Sequence, residues 1–500
     1  MIRSGHAWKL VFFVFVILSV VGGCAHSSTV PEGHPSNSFA AKVHNDLVNG
    51  KQTDRLLTWM NYLPPPKSSW NINDVKLESY LDFVVVNQSV TAGPFSQTFA
   101  GWRTNVVEYT NPNRQAAPNQ GDPDPEYTND ETTFAHASPD PVHPPCYVDQ
   151  SDRLWKMVSV NEFQMEPDSL TLATLWAQEL KNFTAATPPP GWKWAFGGTR
   201  NYVFEDIADN VEDLVTGSNN TPAKPCNFIG YSDWTNRSIQ LITNTNADYR
   251  ALTNQFLSPI IYNGLDPVSG STPRPAIGLN PYTAGGLAEN CFVKVAANGS
   301  VVVVQDVANG TPWSALVTTE IKMASAKKLF ICHGEGNSTT DASGLTAQRI
   351  YQVASMLLAY DATTTVLSED YLTGSNYKVF PEAFIVPADP LKSQPIQLSD
   401  LWVATMGTKH LYGREYGLCD IQGMAYSGCY AVANPNTTTI GFVFPAKYVS
   451  QVGLAGSSFA DGGSNLLTNG SLPTSIAGGT AVIGLTVTPT PVPSPSGKPR

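Results

Sequence analysis

Charge is scarce in this chain: of 500 residues only 14% are Asp, Glu, Lys or Arg, and the balance is −11. Nucleic-acid binding wants a basic stripe, so no nucleic-acid partner is expected. Zinc-site spacing is also missing, with no C-x-x-C and no Cys/His cluster. No G-x-G-x-x-G turn follows an apolar run, which removes the fingerprint of the open dinucleotide-binding sheet. Ala284-Gly285-Gly286 is glycine-rich but lacks the Walker lysine, and no G-x-S-x-G elbow presents a serine nucleophile. Past the N-terminal segment, no apolar run is long enough to cross a bilayer. No cofactor and no metal are therefore expected. Asp122, Asp124, Glu126 and Asp130 are acidic, but the proline after each of the first two does not fit an EF-hand loop. A solvated acidic loop is the reading for that stretch.

What is present begins with an export signal. Arg3 and Lys9 flank the apolar run Leu10–Val21, and Val21-Gly22-Gly23-Cys24 follows. Residues 1–23 have the make-up of a secretory signal peptide. Their end is similar to the bacterial lipobox, in which cleavage precedes the cysteine and its thiol is lipidated. Cys24 is thus the expected lipidation site, anchoring the protein to a membrane without spanning it. Residues 24–38 read as a tether, and the Pro/Thr-rich residues 486–500 as a disordered tail. Six cysteines remain after Cys24, an even number suited to disulfides in an exported protein. Cys419 and Cys429, flanking a Gly/Ser/Tyr turn, are the expected local pair; the other connectivities stay open.

Between the ends, apolar runs alternate with helical stretches. The expected strands are 81–87, 102–109, 156–163, 199–206, 259–263, 287–289, 329–332 and 363–367, after a helical segment at 39–63. Helices are expected at 169–183, 237–257, 312–327 and 346–360. Alternation of this kind means parallel strands with right-handed crossovers. Eight such units point to a (β/α)8 TIM barrel over residues 39–400, with long loop insertions at 110–150 and around Pro188–Gly191. From 401 to 485, short β-like runs between Gly, Asn and Ser turns predict a small β-rich C-terminal segment.

Two of the runs end in an acid: Tyr202-Val203-Phe204-Glu205-Asp206 and Gly285-Gly286-Leu287-Ala288-Glu289. In a parallel barrel the C-terminal strand tips form the open mouth, where chemistry is done. Adjacent residues of a strand point to opposite faces, so Glu205 and Asp206 cannot both face the axis. Asp206, at the tip, is the preferred catalytic group, with Glu289 as its partner; a pair of surface carboxylates is the competing reading. Asn87, Asn263, His333 and Glu335 also fall at strand tips and are candidate substrate-binding residues, as is Glu205. Trp194 and Tyr282, each just before a strand, are candidate stacking faces.

The order Asp82-Phe83-Val84-Val85-Val86-Asn87, Tyr202–Asp206, Pro259-Ile260-Ile261-Tyr262-Asn263-Gly264, Leu287-Ala288-Glu289-Asn290 and the helix Arg349–Leu358 resembles the glycoside-hydrolase-like barrels. Arg414-Glu415-Tyr416 and Tyr430-Ala431-Val432-Ala433-Asn434-Pro435 add to the likeness. The group is hypothetical glycosyl hydrolase family 15, distantly similar to endo-α-1,4-polygalactosaminidases. The resemblance spans roughly residues 75–485. It implies a TIM barrel and carbohydrate hydrolysis, with Asp206 and Glu289 matching the acids after the fourth and sixth strands. Relatives have an apolar residue where this chain has Glu205. The expectation is a lipid-anchored, extracytoplasmic glycosidase with a polysaccharide partner, at the outer membrane or cell surface. The alternative is a non-catalytic glycan-binding envelope lipoprotein on a decayed barrel.

Overall fold

The computed structural model describes residues 55–60, 82–86, 105–110, 114–116, 138–139, 147–148, 154–159, 162–165, seven positions within 173–181, 202–205, 231–254, 258–265, 268–269, 272–273, 280–296, 298–306, 312–334, 342–368, 380–455 without 423, 465–487 and 490–491. Eight strands carry the architecture: β1 (Leu57–Met60), β2 (Phe83–Val86), β3 (Asn105–Thr110), β4 (Tyr202–Glu205), β5 (Ile260–Asn263), β6 (Gly285–Ala288), β7 (Leu329–His333) and β8 (Thr365–Ser368). Each pairs in parallel with the next, and β1 pairs in parallel with β8, so the strands close into a ring. Three helices are described around it: α1 (Tyr231–Thr253), α2 (Pro312–Ser325) and α3 (Thr346–Met356).

Alternation along the strands builds two cores. Trp59, Phe83, Val107, Ile261, Leu287, Leu329, Ile331 and Val366 fill the ring. The intervening residues Ile260, Tyr262, Ala288, Phe330 and Leu367 face outward and pack with Trp313, Val317, Tyr351 and Val353 of the helices. Strands covered on both faces must be apolar on both, which is why β2 and β7 read as continuous apolar runs. Gly285 permits the tight approach of β6 to β7, since a Cβ there would lie 2.4 Å from the Leu329 carbonyl oxygen.

Several sequence expectations need correction. The segment 39–63, expected to be helical, contributes β1, with Trp59 inside the ring and Leu56 in the outer layer. Leu56, Leu57 and Trp59 fit a strand's alternation once the ring is there to bury both sides. Conversely, the run at 156–163 is no barrel strand. Leu154–Ser159 and Glu162–Met165 form an antiparallel hairpin in a five-stranded sheet inserted between β3 and β4, with short strands from the stretch expected to be irregular. One missed strand and one misplaced strand cancel, so the two acid-tipped runs remain the fourth and sixth of the ring.

A mostly antiparallel C-terminal sheet starts earlier than residue 401, because Ile385–Pro390 pairs with Lys409–Ile421. Its other long strands are Cys429–Asn434, Tyr448–Ala455 and Thr480–Thr486. Part of the expected tail joins it, with Thr490 and Pro491 paired to Ala425 and Met424. The signal segment, the tether and Cys24 lie outside the described residues. No described helix is long and apolar enough to cross a membrane.

This sheet grips the end of α3. A helix leaves its last carbonyls without internal partners. Here Arg414 Nη1 donates to the carbonyls of Leu358 and Tyr360 at 3.4 and 3.2 Å, Nη2 donates to Gln394, and the Tyr416 hydroxyl donates to the Leu357 carbonyl. Nearer the helix start, Arg349 forms a fully buried two-pronged pair with Glu382, in the short turn preceding the sheet, and its guanidinium lies 5.0 Å from the Phe380 ring centroid. Breaking such a pair strands a charge out of water, whereas replacing both partners does not. Arg349→Met is predicted to destabilise the fold by about 3–5 kcal/mol, and the double variant with Glu382→Leu by distinctly less. Urea unfolding of the three proteins tests this; equal losses in the single and double variants would sink it.

Candidate active site

Parity decides what reaches the mouth of the ring. Ile261, Leu287, Ile331 and Val366 face inward, so alternation brings the residues two further along to the inner side at the C-terminal tips. Those residues are Asn263, Glu289, His333 and Ser368, from four consecutive strands. Asn263 is 3% exposed. Its Nδ2 donates to Glu289 Oε1 at 2.9 Å, and its Oδ1 accepts from the Gly264 N–H at 2.8 Å. Gly264 adopts φ +92°, the left-handed region that glycine tolerates, and this lets the chain fold its N–H back onto the side chain. With its oxygen so occupied, the amide must present its nitrogen to the carboxylate. The bond is charge-assisted and fixes one oxygen of a half-buried acid.

His333 lies beside this pair. Its Nδ1 is 2.8 Å from Ser368 Oγ, and only 9% of the residue is exposed. Burial pushes the imidazole down to about 4, so at neutral pH it is an uncharged ring. In one tautomer Ser368 donates and Nε2 is a donor; in the other Ser368 accepts and Nε2 is an acceptor. The backbone underneath is tied together as well. Cys291 is disulfide-bonded to Cys332, with 5.1 Å between Cα atoms, and the Cys291 N–H donates to the His333 carbonyl at 2.9 Å. Phe292, next in sequence and fully buried, is held at φ +64°, a conformation a bulky side chain rarely adopts.

The other expected residues divide clearly. Tyr282 is not part of this cluster. It precedes β6 at the opposite end of the ring, 38% exposed, where its carbonyl accepts from Asn246. A residue ahead of a barrel strand belongs to the N-terminal face, so stacking on a substrate at the mouth is excluded for it. Glu205 is the last residue of β4, its backbone level with Tyr262 and that of Phe204 level with Ile261. Asn87, Trp194, Asp206 and Glu335 lie outside the described residues. Ser368 escaped the sequence reading, which ended the eighth strand at Leu367; a polar residue two positions after an inward valine was the available signal. The expected Cys419–Cys429 disulfide is present, with Cα atoms 5.8 Å apart. Among the described residues, no group of three or more His, Cys, Asp or Glu is placed to hold a metal ion.

No family model matches the chain, and no curated protein does. Among solved structures it is similar to the glycoside hydrolase domain of PelA from Pseudomonas aeruginosa, with TM-score 0.36 and 10% identity over 64% of this chain and 97% of that one. A conserved exported protein from Bacteroides fragilis gives 0.31 and 10%, covering 82% and 88%. Ega3 of Aspergillus fumigatus, in complex with galactosamine, gives 0.30 and 11%, covering 64% and 92%. Likenesses of this size do not place the chain in a family.

Protonating His333 opposes folding. The unfolded chain takes up the proton near pH 6.5 and the folded one only near 4, so stability is complete above about pH 6.5 and is lost as pH falls toward 4. The gap corresponds to about 3 kcal/mol. His333→Gln is predicted to flatten that part of the profile, read by denaturant unfolding at pH 7 and pH 4.5. An unchanged slope, or an imidazole titrating near 6.5 by NMR, would contradict the assignment.

Proposed function

We propose that this chain is an exported glycoside hydrolase of the (β/α)8 class, acting on a polysaccharide from the mouth of the ring. The observation that carries the reading is the contact between Asn263 and Glu289: a buried amide, locked by its own neighbour's N–H, aims a donor at a carboxylate on the next strand. An orienting donor of this kind supports work at a reacting centre. His333, neutral and within the same row of tips, suits a sugar hydroxyl, because an uncharged ring gives or takes one hydrogen bond without a counterion.

The second carboxylate of the proposal is Asp206. Phe204 stands level in register with the inward Ile261, and the period of two along a strand supports Asp206 rather than Glu205 for the inward role. One acid protonates the leaving oxygen; the other is the nucleophile or the base for water. A separation of about 5–5.5 Å between the two carboxyl groups makes the enzyme retaining, and about 6.5–9.5 Å makes it inverting. Asn87 and Glu335 complete the proposed binding residues. An amino-sugar polymer is the proposed substrate class. Cys24 is proposed as the lipid-bearing residue that holds the enzyme at the cell envelope.

Release of reducing ends from galactosamine polymers, their N-acetylated forms and neutral glucans tests the proposal. Glu289→Gln and Asp206→Asn are each predicted to lower kcat by at least about a thousandfold, and Asn263→Ala by roughly ten- to a hundredfold. If both acid variants keep wild-type hydrolysis of a substrate the wild type cleaves, the two-carboxylate mechanism is wrong. If the polymers bind and none is cut, the chain is a glycan-binding protein instead.

A further inference from the structure

An aromatic file leads away from the mouth of the ring onto the C-terminal sheet. It starts at Phe292, one residue beyond the disulfide-bonded Cys291. The Phe292 ring is 6.2 Å from that of Trp313, and Trp313 is 4.7 Å from Tyr412. His410 follows at 6.4 Å from Tyr412, and Trp402 stacks on His410 at 3.7 Å with the planes 4° apart. Every member up to Tyr412 is buried, yet Trp402 is 47% exposed. An indole left so open presents a large amphipathic ring face to solvent.

The file lies at the mouth end. Helix α2 closes onto β7 through its C-terminal turn, where the Lys328 N–H donates to the Met323 carbonyl. Its first turn therefore stands at the opposite end of the ring, beside the strand tips that carry Glu289 and His333, and Trp313 is in that turn. Tyr412 touches Trp313, and Trp402 is the cross-strand partner of Tyr412. The exposed indole is one strand removed from a side chain that touches Trp313, in the outer layer at the mouth end of the ring.

The indole is also pre-set. Its strand, Trp402–Met406, joins Lys409–Ile421 through a two-residue turn with Gly407 at φ +64°, the first position of a type II′ hairpin. His410, on which it stacks, is bonded through Nδ1 to Thr405 Oγ1 at 3.0 Å, and the His410 carbonyl accepts from Asn436 Nδ2 at 2.8 Å. One face of the indole is thus covered by a ring that is itself fixed, and the remaining surface is a flat apolar plate. Among the described residues, the Thr405 hydroxyl lies beside the plate, and Lys409 donates to Thr438. A plate of this kind fits a pyranose ring, which has an apolar C–H face and a border of hydroxyls.

We infer that Trp402, stacked on His410, is a sugar-binding platform that holds a pyranose unit of a polysaccharide at a distance from the strand tips. For the class of ligand the inference rests on the hydrolase reading above; for the site it stands on the exposed, braced indole. Such a platform keeps a polymer near the mouth between encounters by raising its effective concentration.

The test uses the full chain, its Trp402→Ala, Trp402→Phe and Glu289→Gln variants, and three soluble probes: a galactosamine polymer, its N-acetylated form and dextran. Binding is read by indole fluorescence and by retardation in gels holding each polymer, and cleavage separately by reducing ends. At least one probe is expected to quench fluorescence and retard the wild type. Trp402→Ala should raise the Kd roughly tenfold or more, as truncation of an aromatic anchor does, with Trp402→Phe between the two. Glu289→Gln should lose cleavage while its retardation still depends on Trp402. Thermal melts confirm that the exposed site leaves folding intact. If no probe binds, or if Trp402→Ala binds as tightly as the wild type, the platform is wrong. Binding that depends on Trp402 without any cleavage would uphold the platform and overturn the hydrolase, and cleavage with Trp402-independent binding would do the reverse.

Discussion

The pairing of Leu57 and Thr58 with Val366 and Leu367 joins the first strand of the ring to the last, and most of what the molecule can do follows from that closure. A closed parallel sheet has no free edge, and its strands are apolar on both faces. Polar side chains can enter the interior line only at the strand ends. At the N-terminal end Asp82, beside the inward Phe83 and so on its outer side, is bonded to Arg55 and to the Thr58 N–H and serves the junction of β1 and β2. At the other end the interior line turns polar, at Asn263, Glu289, His333 and Ser368. A structural ion pair thus lies at one end of the ring and a row of polar side chains at the other.

The C-terminal sheet is part of this design rather than an appendage. It donates to the open carbonyls beyond α3 through Arg414 and Tyr416. It also meets the loop leaving the sixth strand: the Asp306 N–H donates to the Pro435 carbonyl, and Gln305 donates to the Asn436 carbonyl. The Asp306 carboxylate in turn accepts from the Ser314 N–H at 3.0 Å, in the first turn of α2, where an acid is favoured by the exposed amides. Packing on one side of the molecule is thereby linked to the helix that borders the mouth.

How much of this was legible beforehand depends on which forces act locally. β2, β5, β6 and β7 were readable because two-sided burial leaves an unmistakable apolar run. β1 was not, because Leu56, Leu57 and Trp59 satisfy either period and only the neighbouring strands decide between them. Leu154–Met165 misled for the mirror reason: its apolar residues serve a local hairpin, and nothing in sequence distinguishes parallel from antiparallel partners. The placement of Asn263, Glu289 and His333 at the strand tips was legible from the ends of the apolar runs. Their mutual contacts, Ser368 and the Cys291–Cys332 bond required the ring's register, which is a property of chain segments far apart in sequence. Tyr282 does not reach the mouth because a residue just before a barrel strand lies at its N-terminal face, which its place in the sequence already implied.

The Cys291–Cys332 bond reaches further than the two strand tips it fastens. It spans a sequence separation of 41 and encloses both the hairpin Val293–Val303 and all of α2. On the loop-entropy view, a closure of that length removes about 4 kcal/mol of disorder from the unfolded chain. Reduction would return that freedom to a stretch that borders the mouth and touches the C-terminal sheet. The order of that stretch is therefore coupled to the oxidation of two thiols, a bond that persists best in an oxidising setting.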